Sequence, residues 1–330
     1  MHANLNALLN SATSQALHAS DTLSTFITHK GEYTDFSHTL TISGQALTPY
    51  IVKTVIGKLD AYFVADFMSY HHLNQTFGDV VVMLRGKLLQ ECTDNLKAML
   101  GELSSRFNID IGIQASRPAL SEPGLLVMDM DSTVIAIECI DEIAVLAGVG
   151  EQVAAVTASA MRGEIAFNDS LIHRVACLDG VPLSHLETIR DSIPLMPGVQ
   201  LLVQTLKKHG WKLAIASGGF TYFADYLKMR LGLDYAISNT LGIENETLNG
   251  QVEGEIVNAD VKARTVKSLS QQWGISPSQT VAMGDGANDL VMMAESALGV
   301  ACHGKPLVNE KADVAIRVGS LHSMLYFLEQ

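Results

Sequence analysis

The sequence predicts an α/β protein built on a doubly wound parallel sheet, with a helical insertion after its first strand and a small α+β domain ahead of it. Three observations carry this. From residue 125 onward, apolar runs of strand length alternate with helical periods, and the first three runs each lead into a turn bearing Gly or Ser. Between 137 and about 196 the rhythm stops and only helical spacing remains. Upstream, 36–115 holds shorter strand patterns, closed off by linker composition from Ala115-Ser116-Arg117-Pro118 to Pro123-Gly124.

Bulk composition narrows the function classes. At 330 residues the chain exceeds one typical domain and reads as two. Hydrophobic residues make up 48%, enough for sizeable cores, yet no apolar run approaches the roughly 20 residues that span a bilayer. Met1-His2-Ala3-Asn4-Leu5-Asn6 lacks a basic segment ahead of an apolar one, so no secretory leader is expected. A formal charge of −13 argues against a broad nucleic-acid or anionic-membrane surface; an anionic substrate would need locally concentrated positive charge. Cys92, Cys139, Cys177 and Cys302 are scattered and the histidines form no H-E-x-x-H pattern, so neither a zinc site nor a disulfide framework is indicated. A reduced cytoplasm is the simplest home.

In chain order, residues 1–35 are Ser/Thr/His-rich and weakly periodic. Strands are expected at 39–43, 79–84 and 109–113, with helices at roughly 48–60 and 88–106, the second on Leu88, Leu89, Cys92, Leu96, Met99, Leu100 and Leu103. These form the α+β domain, 36–115, of β–α–β type, and 116–124 is the linker. The core then comprises 125–136 and 197–330, with strands at 125–129, 211–216, 279–283, 297–301 and 313–316 and a hairpin within 237–257. Helical periods at 140–147, 151–162, 167–178 and 183–191 make 137–196 a cap over the carboxyl end of the first strand, where open α/β sheets place their ligands.

Three strand ends carry chemistry-bearing residues. Leu125-Leu126-Val127-Met128, an apolar run suited to burial on both faces, ends in Asp129-Met130-Asp131-Ser132-Thr133. Two acids beside a buried strand are costly unless a cation or a reaction uses them, although an isolated D-x-D fits an acidic turn equally well. Ser217-Gly218-Gly219 follows the second strand; small residues let backbone N–H groups approach a phosphate at a helix N-terminus. Alone, that triplet is more often an ordinary βα turn. Met283-Gly284-Asp285-Gly286-Ala287-Asn288-Asp289 puts two acids and an amide on a Gly-rich turn, which suits a hard, oxygen-seeking cation. Adjacent strand ends bring Asp129, Asp131 and Asp285 together, a density of carboxylates that calls for a divalent cation, and Mg²⁺ fits best. Gly299 to Lys305 spells G-x-x-x-x-G-K, but Pro306 replaces the Ser/Thr of a nucleotide loop.

The order D-x-D-S-T, S-G-G, Lys262 and G-D-G-x-N-D resembles the haloacid dehalogenase-like phosphatases, and within them the phosphoserine phosphatases. Further likeness lies in Ile140-Asp141-Glu142-Ile143-Ala144, Met161-Arg162-Gly163, Arg174-Val175 and Val252-Glu253-Gly254-Glu255, and coverage is essentially continuous from 124 to 330. The resemblance implies a Mg²⁺-dependent phosphomonoesterase with a four-helix cap, acting on O-phosphoserine as the last step of serine biosynthesis; another small phosphomonoester such as phosphohomoserine is the alternative. It implies Asp129 as nucleophile, Asp131 as general acid/base, and Asp129, the Asp131 carbonyl and Asp285 as Mg²⁺ ligands, with Asp289 behind them. Lys262, Ser217, Gly218 and Asn288 would meet the phosphate. Lys262, viewed alone, is an ordinary solvated helix lysine. Glu138 would receive the substrate ammonium and Arg174 its carboxylate, with Met161 and Phe167 as apolar lining. The 36–115 region resembles the regulatory ACT-type modules that accompany some of these enzymes, which bind an amino acid or mediate dimerisation; a homodimer is thus one expected assembly, and a purely structural appendage is the other reading.

Overall fold

The structure, a computed structural model, describes residues 36–90 and 93–330; the expectations for 1–35 and for Cys92 lie outside them. The chain divides into two compact units, one being Glu122–Gly299 and the other the residues up to Ser121 together with Val300–Gln330.

The first unit begins with β1 (His38–Gly44), α1 (Pro49–Lys58), β2 (Phe63–Tyr70), β3 (Val80–Leu88), α2 (Asp94–Phe107) and β4 (Asp110–Gln114). The strands form an antiparallel sheet in the order β2-β3-β1-β4. Its core gathers Leu40 and Ile42 of β1, Val82 and Leu84 of β3, and Ile111 of β4 against Val52 and Val55 of α1 and Leu96, Leu100 and Leu103 of α2. Each helix opens on a threonine cap: Thr48 accepts from the Ile51 N–H and Thr93 from the Leu96 N–H. Two features depart from expectation. β2 was not foreseen; its register slips between Ala65 and Phe67, which breaks the period-two pattern that marks a strand. α2 starts at Asp94 rather than 88, because Leu88 completes β3 and Thr93 supplies the cap.

The second unit holds β5 (Leu125–Met128), then the helices α3 (Cys139–Leu146), α4 (Gly150–Met161), α5 (Phe167–Ala176), α6 (Leu183–Ser192) and α7 (Val199–Lys208). β6 (Lys212–Phe220), α8 (Thr221–Leu231), β7 (Tyr235–Glu244), β8 (Thr247–Glu253), α9 (Ala259–Gln272), β9 (Thr280–Gly284) and the short α10 (Leu290–Ala294) follow. Within the unit the strands run β9-β5-β6-β7-β8, parallel except for the β7–β8 hairpin. Asn245 and Glu246 turn that hairpin with positive φ of 49° and 64°, as a two-residue primed turn requires. All four β5 side chains are fully buried, as their apolar run implied. β6 extends past 216 through Ser217, Gly218 and Gly219, so that triplet is the irregular end of a strand and α8 begins only at Thr221. The β6–β7 register shifts between Ala216 and Phe220, which re-aims the triplet's backbone.

The last segment, β10 (Leu298–Cys302), α11 (Pro306–Lys311), β11 (Val314–Ile316) and a 3₁₀ turn Leu321–Phe327, contributes its residues from Val300 to the first unit. Asp110 at the head of β4 accepts from the backbone N–H groups of Arg317 (2.7 Å), Val318 (3.0 Å) and Gly319 (2.8 Å). Tyr326 donates its hydroxyl to Asp79 Oδ2 at 2.8 Å, with His322 Nε2 3.3 Å from the same oxygen. No helix among the described residues is long and apolar enough to cross a membrane.

Candidate active site

The carboxyl ends of β5 and β9 and the first turn of α9 meet around one lysine. Asp129 follows the last residue of β5 and is tied to the neighbouring strand by its N–H to the Met283 carbonyl. Its Oδ1 accepts from the Met130 N–H at 2.7 Å, and its Oδ2 lies 2.8 Å from Lys262 Nζ. Lys262 is 1% exposed and spans to Asp289 Oδ1, also 2.8 Å away. Asn258 makes this possible by capping α9: its side chain accepts from Asp260 and Val261 N–H groups, fixing the helix start one turn before Lys262. Asp289 is folded back over its own turn, with Oδ2 accepting from the Gly286 N–H at 3.0 Å. A side chain at Gly284 would occupy the space of the Asp289 carboxylate, so this close approach requires glycine.

One oxygen each from Asp129, Asp285 and Asp289 lie within 4.8 Å of one another. Lys262 alone does not balance three carboxylates. Burial opposes the Lys262 charge, but Asp129 and Asp289 outweigh it and hold the ammonium pKa well above its ordinary value. Burial, reinforced by the Asp129 charge, pushes the Asp289 carboxyl up against the pull of Lys262. An excess of hard oxygen donors over cations fits a divalent ion with oxygen coordination, and these residues pass that test on charge and spacing. The cluster takes in the Asp289 carboxylate, expected behind the ligands, and not that of Asp131, expected to offer its backbone carbonyl.

Asp131 stands two residues beyond Asp129 with Oδ1 buried and without a hydrogen-bond partner. Burial, then the charges of Glu138 and Asp129, raise its pKa well above the usual carboxylate range, the state of a group able to donate a proton. Ser132 adopts a left-handed φ of 55° and donates its hydroxyl to Glu138 Oε1 at 2.7 Å, tying the D-x-D turn to the entry of α3. On α5, the half-buried Arg174 has its pKa lowered by burial while Asp141, Glu138 and Asp131 oppose that shift, so the guanidinium shares the field of these acids. The Ser217 triplet reaches the same place: a Cβ on Gly219 would stand 2.9 Å from Asp131 Oδ2. Ser217 is buried, its Oγ accepting from the Gly219 N–H at 3.0 Å. Phe167 overlies Gly218, with Cζ 3.2 Å from where a Cβ there would sit, whereas Met161 is 74% exposed. Asn288 is half-buried beside Asp289.

Asn239 of β7 escaped the sequence reading. It is fully buried, donates from Nδ2 to the Gly218 carbonyl at 2.7 Å and accepts from the Val257 N–H at 2.8 Å. It thereby joins the end of β6 to the approach of α9. Its partners lie 21 and 18 positions away, a link that no local pattern encodes.

With this geometry in view, the comparisons with known proteins become specific. The family model described as haloacid dehalogenase-like hydrolase matches residues 124–296, the stretch containing every acid and base of this site. The phosphoserine phosphatase of Haemophilus influenzae is 50% identical over 76% of this chain and 77% of its own length. The solved structure of a probable phosphoserine phosphatase from Vibrio cholerae, in unliganded form, superposes with a TM-score of 0.72 at 43% identity, covering 88% of this chain and 86% of that one. A solved phospho-aspartyl intermediate analogue of phosphoserine phosphatase superposes at 0.60 with 37% identity, covering 63% of this chain and all, 100%, of that one. A parallel sheet with Asp129 at the end of its β5 strand, Lys262 bridging two acids and a match across that whole region lead to one assignment: the chain belongs to the haloacid dehalogenase-like hydrolases.

Proposed function

We propose that this chain hydrolyses O-phospho-L-serine to L-serine and inorganic phosphate, in a Mg²⁺-dependent reaction that passes through an aspartyl phosphate on Asp129. The observation that carries this is the buried Asp129–Lys262–Asp289 array at the end of β5, with Asp285 in the same cluster. Asp129 attacks phosphorus as a carboxylate that needs no separate base. The phosphorus–ester oxygen bond breaks, and Asp131, whose environment favours the protonated form, gives its proton to the departing serine oxygen. Water then attacks the acyl phosphate, returns a proton to Asp131 and releases phosphate with Asp129 restored. The side chains of Asp129 and Asp285 and the Asp131 carbonyl would hold Mg²⁺, with Asp289 beside them. When bound, the ion would neutralise phosphate charge and help hold the substrate in line. Lys262 fixes the Asp129 carboxylate in place and meets the phosphoryl oxygens. Ser217, Gly218 and Asn288 bind the same group.

Selection of serine rests on the cap. Glu138, held by Ser132, receives the ammonium, and Arg174 binds the carboxylate. Phosphate release should be measured from L-phosphoserine, phosphohomoserine and sugar phosphates, with Mg²⁺ and with chelator. Turnover of phosphoserine that chelator stops and Mg²⁺ restores is the expected result. Turnover of sugar phosphates without phosphoserine would remove Glu138 and Arg174 from the roles given to them.

A further inference from the structure

The first unit contains a cavity of about 280 Å³ that has no part in the chemistry above. It opens where the end of β1 lies beside the heads of β3 and β4, and residues 318–323 form its remaining wall. Its size lies at the lower edge of the roughly 300–1,000 Å³ of small-molecule sites. Two serines in the lining are nearly inaccessible as residues. Ser43 is 3% exposed and Ser323 is 1% exposed, and His322 Nδ1 in the same lining is buried without a hydrogen-bond partner among the described residues. Buried polar atoms ordinarily find partners, so for His322 Nδ1 a partner from outside the chain is indicated.

The remaining lining sets the sign of that partner. Asp79 accepts at Oδ2 from the Tyr326 hydroxyl, with His322 Nε2 3.3 Å from the same oxygen. The His322 and Tyr326 bonds outweigh the burial of Asp79 and hold its carboxyl below the ordinary range, so it is ionised. Asp110 is the second acid, and no lysine or arginine lines the space. Gly319 keeps the floor open: a Cβ there would collide with Ser323 Oγ and Asp110 Oδ2. An acceptor-rich cavity without fixed cations excludes phosphates and carboxylates as its main contact. A bare metal ion would require more carboxylate oxygens than these, whereas an ammonium has three N–H donors to distribute over a carboxylate oxygen and hydroxyls.

We propose that this cavity binds a small molecule through a primary ammonium group, received by Asp79 Oδ1 and the hydroxyls of Ser43 and Ser323. This site is separate from the acids around Asp129, and its test does not depend on turnover. Ethanolamine and its neutral counterpart ethylene glycol are titrated calorimetrically into the full chain, with KCl matched for ionic strength. The same titrations are made on Ser43→Ala, Gly319→Ala and Asp79→Asn, and on Glu138→Gln, which weakens ammonium binding at the catalytic cap. Saturable ethanolamine heat is expected in the unaltered chain and in Glu138→Gln, with none from ethylene glycol. Ser43→Ala should weaken binding roughly tenfold, the value of one hydrogen bond to a charged group, and Gly319→Ala should weaken it by crowding the floor against Ser323 and Asp110. Asp79→Asn should weaken it more; if that variant fails to fold, the first two decide. Equal binding of ethylene glycol, unchanged binding in Ser43→Ala and Gly319→Ala, loss in Glu138→Gln, or absence of saturable heat would each overturn the proposal.

Discussion

Asp110 and Asp289 are both buried aspartates at the end of a strand or turn, and the molecule holds them in opposite ways. Asp110 receives three backbone N–H groups from residues 317–319, and the Arg317 guanidinium lies within reach of its charge. Asp289 has one N–H from Gly286, shares a lysine with Asp129 and shares its surroundings with Asp285. Burial raises the pKa of each, and at Asp110 the three N–H groups oppose it. The first arrangement distributes one charge over neutral donors and fixes a loop. The second gathers three carboxylates beside one lysine. Buried ion pairs are weak contributors to stability because desolvation offsets attraction, so the second arrangement makes sense as chemistry and the first as architecture.

That contrast can be broken or sharpened by experiment. Asp129→Asn should reduce phosphate release from phosphoserine more than about a thousandfold, since the nucleophile is gone. Its melting temperature should stay level or rise, because one of the crowded charges is removed; substantial residual turnover would sink the nucleophile assignment. Lys262→Met should destabilise the second unit by roughly 3–5 kcal/mol, the cost of leaving a buried pair half-broken. A thermal melt checks this, and added Mg²⁺ should restore part of the loss. Asp110→Asn should cost less, about 1–3 kcal/mol, because an amide keeps one acceptor oxygen and turns donors toward a backbone N–H; a cost equal to that of Lys262→Met would erase the distinction.

The smallest effect concerns His71. It is buried, its Nδ1 accepts from the Leu73 N–H at 3.1 Å, and its Nε2 lies 3.4 Å from the Leu328 carbonyl. Burial is the main reason its pKa falls from 6.5 to about 3. The unfolded chain therefore binds the proton first, so the stabilisation by neutral His71 is complete above pH 6.5 and is lost as pH falls toward 3. The slope is at most about 1.4 kcal/mol per pH unit. Melting temperatures between pH 7 and 4 should show a shallower decline in His71→Gln; an unchanged slope would contradict this.

How much could be read from the chain alone follows the range of the interactions. Leu125 to Met128 announce a buried strand by themselves, and the four cap helices α3 to α6 show in the spacing of their apolar residues, although α4 buries only Val153. β2 was hidden because its register slip destroys the alternation that signals a strand. Ser217-Gly218-Gly219 looks like a turn because glycine is read as an end of structure, yet here it continues β6. Within the site, Asp129, Asp131, Asp285 and Asp289 stand out as acids in Gly- or Ser-bearing turns, and Lys262 was visible only by resemblance, since nothing local to a helix lysine reveals that it is buried. Asn239 acts through two contacts and Ser132 through one, all made by the folded chain, and no periodicity points to them.

The bonds that close the first unit also impose an order in time. Asp110 meets Arg317 across 207 positions, and Asp79 meets Tyr326 across 247. A ribosome working at about 5–20 residues per second completes the second bond roughly ten to fifty seconds after it has made Asp79. Residues 122–299, contiguous in sequence, have all been made before Tyr326. During synthesis, the unit whose strands are made first is thus the one whose final hydrogen bonds come last.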